Sequence, residues 1–186
     1  LSEVQLIRKK VVTGKRRIEM FKDAVSHWIS HYNHERYWKW RKVVIDSDNK
    51  IPRLIKMMML IYCKRSEAFQ NAYLGTTLGG GARFKTAPNL PHGLNGIVIS
   101  CFSKIGENVT ILQQVTIGQQ RLGASCAPKI GDNVYIGAGA KVFGSITIGN
   151  NVFIGANSVV VNDVPDNCTV VGAPAKIVKM NGVKVK

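Results

Sequence analysis

The chain has 186 residues, with 26 Lys and Arg against 11 Asp and Glu, for a formal net charge of +15. That length fits one domain, or one domain with an appendage, and 45% hydrophobic residues at a mean hydropathy of zero exclude wholesale disorder. The longest apolar run, Met57 to Cys63, is far shorter than the ~20 residues that span a bilayer, and Leu1-Ser2-Glu3 does not open a readable secretory signal. Four cysteines, Cys63, Cys101, Cys126 and Cys168, have no short pairing pattern. The expectation is reduced thiols in a cytoplasmic protein. The positive charge suits nucleic acid, an anionic membrane, an acidic polymer or a phosphorylated ligand. No nucleic-acid-reading motif accompanies it, so nucleic acid drops out.

The charge is unevenly placed. Residues 1–70 hold 16 Lys and Arg, 7 Asp and Glu, and all three tryptophans, Trp28, Trp38 and Trp40. The remainder is rich in Gly, Val, Ile and Asn, which sets a boundary near Asn71–Gly79 and leaves residues 1–72 as a helical N-terminal region. Ile18, Phe21, Val25, Trp28, Ile29 and Tyr32 fall on one helical stripe. Asn33 is placed to cap a short helix over 34–45, and Pro52 suits the first turn of a helix over about 52–71. Leu54, Ile55, Met58, Tyr62 and Cys63 form the apolar face of that last helix. Its methionine cluster is expected to pack against the next domain or another subunit.

Beyond the boundary a six-residue period takes over. Ile105, Ile111 and Ile117 keep it, as do Ile130, Ile136, Val142, Ile148, Ile154 and Val160. Four positions after all of these but Ile117 come Val109, Val115, Val134, Ala140, Ile146, Val152, Ser158 and Val164. Glycine follows the first position repeatedly, and Asn108, Asn133, Asn150, Asn151 and Asn157 recur near the expected corners. Neither a helix nor a plain strand keeps period six. Short strands joined by sharp corners do, because Gly and Asn tolerate positive φ. Three such strands close a triangular coil of 18 residues, and coils stack as a parallel β-helix. The phase breaks between Ile117 and Ile130, where seven extra residues within 118–129 must leave the coil as a protruding loop.

The stretches Gly96-Ile97-Val98-Ile99, Val109 to Gly118, Pro128 to Gly131, Ile136 to Lys141 and Gly172 to Val178 resemble the hexapeptide-repeat acyltransferases. They are most like the serine acetyltransferase branch and its relatives in polysaccharide gene clusters. The resemblance implies a left-handed β-helix over 73–178, a tail over 179–186, a homotrimer with sites between subunits, and acetyl-CoA as co-substrate with no metal. It implies His92 as the catalytic base. Imidazole titrates near neutrality, so it can take a hydroxyl proton and return it to a leaving thiolate. It also implies a pantetheine groove at the small residues Gly118, Ala138 and Ala156. Lys176 and Lys179 are implied near the CoA phosphates, with Lys141 and Lys129 as further candidates.

The chain departs from the branch where acidic groups are usual. Pro91 precedes His92 in place of Asp, Cys101 stands for a Glu, Thr76 or Thr77 stands near a usual Asp, and Cys126-Ala127-Pro128 replaces Arg-His-Pro. Residues 71–186 contain only Glu107, Asp132, Asp163 and Asp166 as acids. The expected activity is therefore acetyl transfer to a saccharide hydroxyl of a capsule, exopolysaccharide or sugar precursor. Serine O-acetylation is the alternative, and a non-catalytic β-helix binding protein the second. The basic N-terminal region suits peripheral contact with an anionic membrane or an acidic polysaccharide.

Overall fold

The computed structural model describes residues 31–120 and 126–185. The helical stripe from Ile18 to Ile29, and most of the basic segment assigned to membrane or polysaccharide contact, lie outside the described residues. Helices α1 (His34–Ile45) and α2 (Arg53–Phe69) precede the strands. Both belong to the same unit as the β-helix.

Three parallel stacks build the coil. The first face holds β1 (Arg83–Phe84), β3 (Lys104–Ile105), β6 (Lys129–Ile130) and β9 (Thr147–Ile148). The second holds β4 (Thr110–Ile111), β7 (Tyr135–Ile136), β10 (Phe153–Ile154) and β12 (Cys168–Gly172), and is extended antiparallel by β13 (Ala175–Met180) and β14 (Val183–Lys184). The third holds β2 (Val98–Ile99), β5 (Thr116–Gly118), β8 (Lys141–Phe143) and β11 (Val159–Val160). This is a left-handed β-helix. Lys129 pairs with Thr147, and Lys141 with Val159, so one coil is 18 residues, as the repeat requires.

Period six gives each face one inward Ile or Val per coil. Ile105, Ile111, Ile117, Ile130, Ile136, Val142, Ile148, Ile154 and Val160 are all 5% exposed or less. Each such burial contributes about 1.5–3 kcal/mol. At the corner between the first and second faces, Asn108, Asn133, Asn151 and Asn167 all have φ between 52° and 57°. Their amides form a ladder, each Nδ2 donating to the Oδ1 of the next at 3.0–3.3 Å. Asparagine serves there because it tolerates the left-handed conformation and also bonds its neighbour in the stack.

The helices meet the first coil through a buried polar network. Tyr37 Oη and Thr76 Oγ1 each donate to Glu67 Oε1 at 2.7 Å, and Lys64 Nζ donates to Glu67 Oε2 at 2.9 Å. The Arg41 guanidinium donates to Thr76 Oγ1, Leu74 O and Ala82 O and lies over the rings of Trp38 and Phe84. Burial lowers the Arg41 pKa, and it raises that of Tyr37 well above the ordinary phenol value, with Glu67 adding to the rise. α2 turns a largely polar side to this network. Its buried residues are Lys56, Cys63, Ser66 and Glu67, whereas Leu54, Ile55 and Met58 are exposed in the single chain. The side of α2 that turns inward is the one that completes the polar network.

Candidate active site

Register explains why His92 stands apart. Asn89 pairs with Thr110 and Val98 with Thr116. Nine residues thus separate these paired positions in the first coil, where six suffice in the next. The three extra residues fall in the turn that contains His92, at the corner between the second and third faces. Gly93 and Gly96 supply φ of 65° and 63° there. Gly93 N donates to Leu90 O and Ile97 N to Leu94 O. Buried Leu94 anchors the turn inside, and Gly96 N donates to Gln70 O just past α2. His92 is left exposed.

A column of corners runs from that turn along the β-helix. Gln114 N donates to Asn95 O, Gly139 N to Gln113 O, and Asn157 N to Ala138 O, all at 2.8–2.9 Å. Gly172 N then donates to Ser158 Oγ at 3.2 Å. The column therefore links His92, Ala138, Ala156 and the start of the β12–β13 hairpin. At roughly 4.8 Å per coil, its four steps span on the order of 19 Å, a length suited to an extended thioester arm. The coils touch closely: a Cβ on Gly137 would lie 2.5 Å from Ala156 N.

The hairpin brings two of the expected lysines together. Lys176 pairs with Val171 and Lys179 with Thr169, across a register shift. Val171 and Thr169 are two residues apart and share a face. The bulge thus puts Lys176 and Lys179 on that same face, and both are exposed. The other candidates lie elsewhere. Gly118 ends β5 at the far edge of the third face, where a Cβ would lie 2.5 Å from Phe143 Cε1. Lys141 Nζ donates to Gln114 O and Thr116 Oγ1, which fixes it to the corner. Lys129 is on the first face.

The sequence reading missed Gln113. Its Oε1 is buried without a hydrogen-bond partner among the described residues. It sits in the column between the His92 turn and Ala138. An unmet buried acceptor costs about 1–3 kcal/mol. The run Leu112-Gln113-Gln114, polar where neighbouring corners are small, was its only signal.

Three of the four β-helix acids, Asp132, Asp163 and Asp166, are committed to corners. Asp132 Oδ1 accepts from Glu107 N, and both its oxygens accept from Lys85 Nζ at 3.0 Å. The Glu107 N–H, and then Lys85, hold the Asp132 carboxyl below the usual range. Asp163 accepts from Thr147 N, and Asp166 from Asn150 N. Thr76 is fully buried in the helix network.

Residues 127–162 match the family model for the bacterial transferase hexapeptide (six repeats). Over 114 residues the chain is 48% identical to a serine acetyltransferase of Staphylococcus xylosus, covering 61% of this chain and 52% of that protein. It resembles the solved serine acetyltransferase of Neisseria gonorrhoeae in complex with serine at 34% identity and TM-score 0.61, over 77% of this chain and 54% of the other. A serine acetyltransferase complex with CoA matches at 35% identity and TM-score 0.57, over 68% and 49%. The chain spans about half the length of the relatives it matches.

Proposed function

From this chain's place among the hexapeptide-repeat transferases, on their serine acetyltransferase-like branch, we propose that it is an acetyl-CoA-dependent O-acetyltransferase. One observation carries the reading: His92, the single histidine after residue 34, is pushed out of the coil at the head of a column of small corners that ends at Lys176 and Lys179. His92 takes the proton of the acceptor hydroxyl. The oxygen attacks the acetyl carbonyl, the carbon–sulfur bond breaks, and His92 returns the proton to the CoA thiolate. General-base catalysis of this kind is worth about 10²–10⁴-fold. The pantetheine arm lies along Ala138 and Ala156, and the two hairpin lysines meet the phosphates. The enzyme works as a cytoplasmic homotrimer.

Acetyl-CoA binding and thiol release are the test. His92→Ala should lower kcat by at least a hundredfold with acetyl-CoA affinity unchanged. Near-full activity in that variant would remove the assignment.

The similar proteins carry the name serine acetyltransferase, which supports L-serine as acceptor over the saccharide expected from the sequence. A second reading, a saccharide hydroxyl, rests on the carboxylates. Among the described residues, Asp132, Asp163 and Asp166 accept from corner N–H groups and Lys85, and the turn from Asn89 to Ile97 contains no acid to meet an ammonium-bearing acceptor beside His92. Saturable turnover with L-serine at millimolar or lower KM decides for serine; turnover only with sugars decides against it.

A further inference from the structure

The corner between the third and first faces holds a cleft of about 1220 Å³ to which the reaction above assigns no role. Its rim carries a ladder of cations. Arg83 pairs with Lys104, and Lys104 with Lys129, so the three stack in register on the first face, one per coil. All three are exposed and have no acidic partner among the described residues. Lys42 adds a fourth cation from α1. Like charges directly opposite one another weaken a sheet. The same face shows the remedy two residues along, where Lys85 is paired with Asp132. The Arg83–Lys104–Lys129 stack has no such remedy. Asp46 and Asp48 also line the cleft, but Asp46 accepts from the Asp48 N–H and Asp48 from Ser47 Oγ.

The cleft is not only charged. Phe102 is 48% exposed within it, a flat apolar surface of the kind that takes the C–H face of a pyranose ring. Gly79 borders it with open space where a side chain would stand. Cations repeated at roughly 4.8 Å beside one exposed ring fit a chain of acidic sugars. Nucleic acid would be matched by a row of stacking aromatics, and the cleft does not have one.

We infer that this cleft, one corner of the coil away from the His92 turn, binds an anionic glycan, a chain of uronic acid residues whose carboxylates meet Arg83, Lys104 and Lys129 while a ring rests on Phe102. The inference stands on the cleft alone and is independent of the O-acetyltransferase reading.

The test is calorimetric binding to the intact protein without CoA, at fixed low ionic strength. The probes are an oligogalacturonate, a maltooligosaccharide of equal length, phosphatidylglycerol vesicles and a single-stranded oligonucleotide. The oligogalacturonate should bind and the neutral sugar should not. Lys104→Glu and Phe102→Ala should each weaken binding at least tenfold while leaving the melting curve and acetyl-CoA affinity unchanged. Equal binding of the two sugars, tighter binding of vesicles or oligonucleotide, or a Lys104→Glu effect within twofold overturns the inference. If oligogalacturonate does not bind but His92-dependent thiol release persists with another acceptor, this inference alone falls. If acetyl-CoA does not bind, the O-acetyltransferase reading falls.

Discussion

Replacing Arg41 with Met keeps much of the side-chain volume and removes the charge and its donors. Arg41 is 1% exposed and reaches Thr76 Oγ1 at 3.0 Å, Leu74 O at 3.0 Å and Ala82 O at 2.7 Å. The variant leaves two buried backbone carbonyls unmet, at about 1–3 kcal/mol each. It also leaves the Glu67 carboxylate, 2% exposed, without its nearby guanidinium. Glu67 keeps Lys64 at 2.9 Å, so the two carbonyls set the scale, about 2–6 kcal/mol together. For a chain of this size that lowers Tm by on the order of 4–24 °C, at about 2–4 °C per kcal/mol. Circular-dichroism melts and urea midpoints at one protein concentration measure it. A loss below about 1 kcal/mol refutes the reasoning. So does a double variant, Arg41→Met with Glu67→Leu, whose loss equals the sum of the two single losses. Removing both partners should cost less than that sum, because no buried charge is then left uncompensated.

Thiol chemistry should divide the cysteines. Cys63 is fully buried and its thiol is pushed up to about 12, by burial first and then by Glu67, and Cys168 is buried as well. Maleimide labelling at pH 8, read by mass spectrometry, should fall on half-exposed Cys101 and Cys126; native-state labelling of Cys63 at their rate contradicts this. Ala138→Leu should raise the acetyl-CoA Kd at least tenfold, about 1.4 kcal/mol, and an unchanged Kd moves the arm off the corner column. Asp132 has a folded pKa below its unfolded one, so its stabilisation is present above the unfolded pKa and is lost as pH falls through the folded pKa. Asp132→Asn should therefore lower Tm at pH 7 and lose most of that effect near pH 2; an equal effect at both rejects the carboxylate's role.

The β-helix was legible in the sequence because the same inward position recurs in every coil, and one face of Ile and Val cannot be buried except by stacking the next coil on it. His92 was legible through the resemblance alone. The turn that displaces it shows only when Asn89 is paired with Thr110 and Val98 with Thr116, because three extra residues upstream of the repeat leave no mark on its period.

Local sequence thus determined the strands, the asparagine corners and the two helices, since each follows from φ preference and side-chain periodicity within a few residues. Tertiary structure decided which side of α2 turns inward. Its apolar side chains mark an amphipathic helix but do not say what meets it, and the partners that do, Tyr37, Arg41 and Thr76, come from distant segments. It also decided that Arg83, Lys104 and Lys129, more than twenty residues apart along the chain, stand as one column of charge. Charge adds across space, and only the stacking of coils put these three in register.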